Sequence, residues 1–355
     1  SRFSCHFCGV VDCSVEPVDN RQYSGDGDLM MEHALASVMM DTRPNTSVRV
    51  EEIVAGLNRP QKTIEPKYFY DAHGSELFEA ITELPEYYLT RTEMRLLQTH
   101  MSEIAALLGK QVCVIEYGAG SSKKIRLLMD GLSPWAYVPI DISRDFLLAS
   151  AADLANDYPA LEIFPVCADL SLPLQLPEPV AERPALGFYP GSSIGNFEPS
   201  AARAFLQSVA HTLGNGNHLL IGVDRKKPQH LLEAAYNDAA GVTAQFNLNA
   251  LAHINATHDA NFDMDAFQHK AVYNHELGCI QMFLESQARQ TILLGGAEIS
   301  FSEGELIHTE NSFKYEAEEF LALAGECGFQ AAGHWQDANE YFSLFLLQAE
   351  MRATE

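Results

Sequence analysis

The sequence predicts an α/β fold, a doubly wound parallel sheet joined to a second, smaller α+β part. Three observations carry this reading. Short apolar runs alternate with amphipathic stretches from about residue 112 to 224, the pattern of a parallel sheet covered on both faces. The run Cys113-Val-Ile-Glu-Tyr-Gly-Ala-Gly-Ser-Ser-Lys-Lys124 passes from strand through a glycine turn directly into a helical pattern. After Asp224 the alternation stops, and extended segments follow one another without intervening helices.

From the N-terminal side, residues 1–45 are polar and irregular, and no packed structure is expected of them. Ser75–Thr82 reads as a helix with Leu77, Phe78 and Ile81 on one face. Residues 84–93 read as a loop in which Thr90 or Thr92 caps the next helix, and Gly109 ends that helix. Its apolar stripe is Met94, Leu97, Met101, Ile104 and Leu108. Strands are expected at 112–117, 136–140, 161–166, 185–189 and 218–223, with helices at 122–129, 146–156 and 200–213. Residues 228–254 read as helical. The extended segments 270–273, 279–285 and 290–294 read as one antiparallel sheet, 305–312 as extended or loop, 320–325 as helix, and 341–348 as the last strand.

Composition narrows the function classes. The chain has 355 residues with 23 Lys+Arg against 48 Asp+Glu, a formal net charge of −25. Such a surface repels phosphate backbones, so no nucleic-acid partner is expected. No apolar run approaches the roughly 20 residues that span a bilayer, and no signal-type apolar stretch follows the first residues. Cys113, Cys167 and Cys279 sit in apolar runs and are expected as buried free thiols in a reducing, cytoplasmic setting. Cys5, His6, Cys8 and Cys13 form a loose cluster without the fourth ligand and compact surroundings of a zinc knuckle, so no metal is expected.

The glycine turn alone is weak evidence of a ligand. It gains weight from acids at successive strand ends: Glu116, Asp141 placed 21 residues after Gly120, and Asp169. An acid at the second strand's end suits a ribose, and Asp169 can accept from an adenine amino group. Lys123 stands where a dinucleotide fingerprint has its third glycine, and the acids oppose a pyrophosphate. An adenosine ligand without phosphate fits better, and S-adenosyl-L-methionine is one; Lys124 can meet its carboxylate. In the glycine- and serine-rich loop after the fourth strand, Asn196 offers both a donor and an acceptor to an amino acid's α-amino and carboxylate groups. Glu310 and Ser312 can grip the two nitrogens of an imidazole. Composition alone makes that stretch a surface loop, Met282 core packing, and Tyr70, Tyr87, Tyr88 and Tyr236 packing residues.

Three long motifs are more specific. They are Tyr70-Asp-Ala-His-Gly-Ser-Glu-Leu-Phe-Glu-Ala-Ile-Thr-Glu-Leu-Pro-Glu-Tyr-Tyr-Leu-Thr-Arg-Thr-Glu93, Phe188-Tyr-Pro-Gly-Ser-Ser-Ile-Gly-Asn-Phe197 and Tyr236-Asn-Asp-Ala-Ala-Gly-Val-Thr-Ala-Gln-Phe-Asn247. Together they strongly resemble the L-histidine Nα-methyltransferases of ergothioneine biosynthesis over about residues 46–350. The resemblance implies a class I S-adenosylmethionine-dependent methyltransferase domain (92–226 plus 313–355) and a substrate-binding domain (46–91 plus 227–312). It implies that Tyr87, Gly118, Lys124, Asp141, Asp169 and Leu170 bind S-adenosyl-L-methionine. Asn196 and Tyr236 would hold the α-amino and carboxylate groups, and Glu310, Ser312 and Met282 would surround the imidazole. Tyr70 would face the amine, as the catalytic group beside Asn196. Asn311 departs from the pattern, which has an apolar residue there.

The expected activity is therefore N-methylation of L-histidine, up to the trimethylated betaine hercynine, by a monomer. Methylation of another amino acid such as a tryptophan derivative is one alternative. A catalytically silent nucleoside- or amino-acid-binding regulator is another.

Overall fold

The computed structural model describes residues 31–32, 34–43 and 50–350, apart from positions 110, 121, 171 and 182. The Cys5–Cys13 cluster lies outside the described residues. Met40–Asp41, expected within an irregular tail, instead forms a short strand, β1, and Lys62–Thr63 forms β2. The middle of the chain supplies β3 (Cys113–Tyr117), β4 (Ala136–Asp141), β5 (Glu162–Ile163), β6 (Val166–Cys167), β7 (Ala185–Tyr189) and β8 (His218–Asp224). Then come β9 (Phe267–Asn274), β10 (Cys279–Ser286), β11 (Gln290–Leu294), β12 (Ala297–Phe301) and β13 (Leu306–Phe313). The last two strands are β14 (Phe329–Gln336) and β15 (Phe342–Ala349).

The large sheet has the order β1-β6-β4-β3-β7-β8-β15-β14, with β5 paired to β4. Strands from β1 to β8 are parallel; β15 is antiparallel to β8, and β14 to β15. Successive residues of each inner strand face opposite cores, which explains the continuous apolar runs. Ile115, Val138, Ile221 and Phe345 pack with the helices Pro199–Leu213 and Ala317–Glu326. Val114, Leu186, Leu220 and Leu344 pack with the helices Tyr88–Leu108 and Ser122–Leu132. Chain order reverses between β3 and β7, so a crevice opens beyond their carboxyl ends.

A second sheet has the order β2-β13-β10-β9. β11 does not join it, contrary to expectation. It pairs only with β12, across the tight turn Gly295-Gly296, whose φ angles of 55° and 81° suit glycine. The third parallel strand is split into β5 and β6, interrupted at Pro165. The expected helix over 228–254 is two helices, Gln229–Tyr236 and Val242–His258; between them the Asp238 carboxylate accepts from the backbone N–H groups of Val242 and Thr243, both at 2.8 Å.

The largest departure is at residues 84–93. The helix begins at Tyr88, not after a loop, and Thr92 donates to the Tyr88 carbonyl at 2.8 Å instead of capping. Leu89 extends the buried face by two turns before Leu97, and one turn after Leu89 that face carries the buried Glu93, a carboxylate where the pattern requires an apolar group. Among the described residues no helix is long and apolar enough to cross a membrane. Cys113, Cys167 and Cys279 are buried and free, as is Cys327.

Candidate active site

A pocket lies between the loop after β7 and the second sheet. Tyr70, Tyr87, Asn196, Tyr236, Met282, Glu310 and Ser312 all line it, with Phe78, Thr243 and Phe246. Residues from five separated segments of the sequence thus converge on one cavity.

Strand pairing explains the Glu310 side of the pocket. In the β10–β13 register Met282 lies opposite Glu310, and Ile280 opposite Ser312. Directly opposed residues share a face, and so do Glu310 and Ser312, two apart on one strand. A bulge at Met282/Phe283 re-aims this stretch. Asn311 points to the other face, where it donates to Glu198 at 2.6 Å and accepts from Gln281 at 3.2 Å. Its departure from the family pattern therefore falls outside the pocket.

The loop after β7 is held from three directions. Gly191 (φ 77°) donates its N–H to Glu93 at 2.9 Å. Ser192 (φ 59°) accepts the Asp224 N–H on its hydroxyl at 2.9 Å. At Gly195 a Cβ would stand 2.6 Å from the Phe313 carbonyl, so only glycine lets this turn lie against β13. Asn196 ends the short turn Ser193–Asn196 fixed in this way.

Charge in the pocket is arranged by burial. Glu310 is pushed up to about 7 because burial disfavours its carboxylate, although Lys314 opposes the shift. Lys314 donates to Tyr236 Oη and Ser312 Oγ, each at 2.9 Å, and those two hydroxyls lie 2.8 Å apart. Behind them Asp224 is fully buried, 2.8 Å from Lys314 and 2.6 Å from Lys227, and it accepts from Tyr88 Oη. Burial pushes Lys227 down to about 8. For Lys314 burial acts the same way and is the largest single effect, but the Asp224 charge, Tyr236 and the hydrogen bonds to both together outweigh it and raise the pKa. Tyr70 keeps 39% of its surface accessible. Desolvation of its hydroxyl, then the charges of Glu310 and Asp141, hold its pKa well above the ordinary value. Its oxygen thus lies within electrostatic reach of both the β13 and the β4 carboxylates.

The remaining expected residues gather at the strand ends next door. Gly118 (φ 72°) follows β3, and its N–H donates to the Ile140 carbonyl at 2.9 Å. Asp141 ends β4; burial pushes it up to about 6 against the N–H donated by Ser143 at 2.8 Å. Asp169 and Leu170 follow β6, joined to this edge by the bond from the Ala168 N–H to the Asp141 carbonyl at 3.0 Å. Lys124 forms a 2.5 Å ion pair with the fully buried Glu93. Glu116 accepts a short hydrogen bond from Tyr137, and burial pushes it up to about 8. Tyr87 lines the pocket, its ring 6.3 Å from that of Tyr236.

Sequence reasoning missed Glu93, Asp224, Lys227 and Lys314 as parts of the site. Glu93 links its two halves, since the same carboxylate holds Lys124 and the Gly191 N–H. A Cβ at Gly222 would stand 1.9 Å from Glu93 Oε1 and 2.9 Å from Phe342 Cε1. Gly222→Ala is expected to destabilise the fold by roughly 1–3 kcal/mol, the usual range for overpacking, and to weaken cofactor affinity through Lys124. Urea unfolding with calorimetric titration checks this; an unchanged denaturation midpoint would show that Glu93 shifts freely.

Comparison with known proteins places the chain. The family model described as "Histidine-specific methyltransferase, SAM-dependent" matches residues 49–349. The histidine N-alpha-methyltransferase of Mycolicibacterium smegmatis is 39% identical over 301 residues, 83% of this chain and 93% of that protein. That of Mycobacterium tuberculosis is 37% identical over 305 residues, again 83% and 93%. Ergothioneine biosynthesis protein 1 of Schizosaccharomyces pombe is 28% identical over 316 residues, 85% of this chain but 41% of that longer protein. The sheet is the Rossmann-like α/β sheet of class I S-adenosylmethionine-dependent methyltransferases, and with a match over residues 49–349 the chain belongs to the histidine-specific, S-adenosylmethionine-dependent methyltransferase family.

Proposed function

We propose that this protein transfers methyl groups from S-adenosyl-L-methionine to the α-nitrogen of L-histidine, up to the trimethylated betaine hercynine, as the first step of ergothioneine biosynthesis. The observation that carries the substrate is the pair Glu310 and Ser312 on one face of β13, opposite Met282, in a pocket adjoining the cofactor strands. An imidazole offers polar partners to both side chains and an apolar edge to Met282. An indole has one N–H and leaves a polar partner unused.

The residues at the strand ends fit the cofactor. Asp141 suits a ribose and Asp169 an adenine amino group, while Lys124 suits a carboxylate. The open space around Gly118, where a Cβ would meet nothing within 4 Å, leaves room for a ligand against the backbone. S-adenosylmethionine, when bound, supplies a methyl group already activated by its sulfonium. The protein's task is to hold the amine. Asn196 and Tyr236 bind the α-amino and carboxylate groups, and Tyr87, which lines the same pocket, contacts the cofactor. Tyr70 stays protonated, since its pKa is raised, so it orients the amine through an oxygen lone pair. The amine's proton passes to water at the accessible edge of Tyr70. Such positioning is worth up to ~7–11 kcal/mol of a bimolecular barrier.

Residues 46–91 and 227–312 act as the substrate-binding part. Pairing of β2 with β13 supports this, as do the bonds from Asn249 to the Phe69 carbonyl (3.2 Å) and Asp71 (2.8 Å).

Mass spectrometry of histidine, tryptophan and tyrosine incubated with enzyme and cofactor tests the assignment. A gain of three methyl groups on histidine alone is expected. No methylated histidine, with methylation of another amino acid, would overturn it. Glu310→Ala is expected to weaken histidine binding by about 10-fold or more, the worth of a charge-assisted hydrogen bond, and S-adenosylhomocysteine binding far less. Equal losses would remove Glu310 from the imidazole. Because its carboxyl titrates at about 7, wild-type affinity for histidine should fall as pH drops below 7 and the acceptor is protonated. Glu310→Gln should lose that component and keep only the titration of histidine itself.

A further inference from the structure

Lys314 carries no assigned role, yet its amine sits directly behind the imidazole-binding wall. Its side chain is fully buried, and its three N–H donors meet three acceptors: Asp224 Oδ2 at 2.8 Å, Tyr236 Oη at 2.9 Å and Ser312 Oγ at 2.9 Å. The Tyr236 and Ser312 hydroxyls also bond one another at 2.8 Å. The proton count then follows. Each hydroxyl oxygen uses a lone pair on Lys314, and one of the two hydrogens is spent between them. The pair is left with one hydrogen to give a ligand. Without the ammonium, each oxygen regains a lone pair, and both hydroxyls are free to rotate.

We propose that Lys314 is a positioning residue that sets histidine affinity and side-chain selectivity by orienting Ser312 and Tyr236. This rests on the reading that the pocket binds histidine. Asp224 fixes the ammonium in turn, and Lys227 and Tyr88 fix Asp224 from the far side, at 2.6 and 2.9 Å. A lysine suits this post because its three donors diverge from one point, whereas arginine's planar fork does not.

The test is Lys314→Met, which keeps the length of the side chain and removes the donors. Asp224 retains Lys227 and Tyr88, so no carboxylate is left without a partner. Calorimetry should show histidine binding to the S-adenosylhomocysteine complex weakened roughly 10- to 100-fold, the loss expected for hydrogen bonds from a charged donor. Affinity for S-adenosylhomocysteine itself should stay within about threefold, since these contacts lie outside the strand ends that suit it. The preference for histidine over tryptophan should shrink. In a double-mutant cycle Lys314→Met and Ser312→Ala should be strongly non-additive, because one acts through the other. Equal weakening of both ligands, or additive effects in the cycle, would overturn the proposal and leave Lys314 a structural residue. Should Lys314→Met not fold, the triple variant D224N/K227M/K314M removes the carboxylate and both ammonium groups together, leaves none of the three charges buried alone, and takes the same measurements. Failure of the wild-type protein to bind histidine would refute the histidine reading. Normal wild-type binding with an unaffected Lys314→Met would refute only the role of Lys314.

Discussion

Asp224→Ala is expected to cost more stability than the other substitutions named above and to lower the thermal midpoint by roughly 5–8 °C. Asp224 closes β8 and has no solvent exposure, as has Lys314, and Lys227 is almost as deeply buried. Two ammonium groups depend on this one carboxylate. Burial disfavours the ionised Asp224, yet the two lysines outweigh it and hold its pKa below the usual carboxylate range. Deleting the carboxylate leaves two cations without a counter-charge, for which the cost of breaking a buried pair is about 3–5 kcal/mol. Lys227, already pushed down to about 8, should release its proton first. Asp224→Asn should be milder, because an amide oxygen still accepts from the lysines and from Tyr88. Differential scanning calorimetry of the three proteins at pH 7 checks the ranking. A shift below about 2 °C for Asp224→Ala would mean that the network contributes little net stability, as some buried ion pairs do.

The same network marks the limit of what the sequence discloses. β7 is the strand expected, and β3, β4 and β8 differ from expectation by a single residue at one end, since runs buried on both faces leave an unbroken apolar signal. Glu310 and Ser312 are legible as a pair because two residues along a strand share a face. Their neighbour Lys314 lies on that same alternation, and the signal was present, but a lysine in a strand pattern ordinarily marks its end. Glu93 hides for the same reason: a carboxylate on the buried stripe of a helix breaks the apolar period, so the sequence pattern starts the helix later than Tyr88. β12 and β14 are unseen because only β12's hairpin mate β11 and β14's neighbour β15 carry a clear apolar run. In each case a buried polar group, or a partner distant in sequence, decides the structure, and local pattern holds neither.

Asn196→Ala is expected to have the largest effect on activity, a fall in kcat/KM for histidine of about 100-fold or more with little change in stability. The turn that carries Asn196 is held at Gly191 by Glu93, at Ser192 by the Asp224 N–H, and at Gly195 by contact with Phe313. None of these contacts uses the Asn196 side chain, so truncating it leaves the scaffold in place. What is lost is a group with a donor and an acceptor side by side, at the border between the pocket and the strand ends. The reaction needs the amine's lone pair in line with the methyl group, and small misplacements of a reacting atom cost about two orders of magnitude. Methylation makes the demand stricter with each round. The dimethylated amine has fewer N–H groups with which to orient itself, so the variant should accumulate mono- and dimethylhistidine. Steady-state kinetics with product analysis by mass spectrometry, beside calorimetry with S-adenosylhomocysteine, measures these effects separately. Cofactor affinity should remain within about threefold of wild type, because the acids and Lys124 that suit the cofactor are untouched. A loss of activity below about fivefold would mean that Tyr236 suffices to hold the amino acid. A parallel loss of cofactor affinity would move Asn196 to the other side of the border.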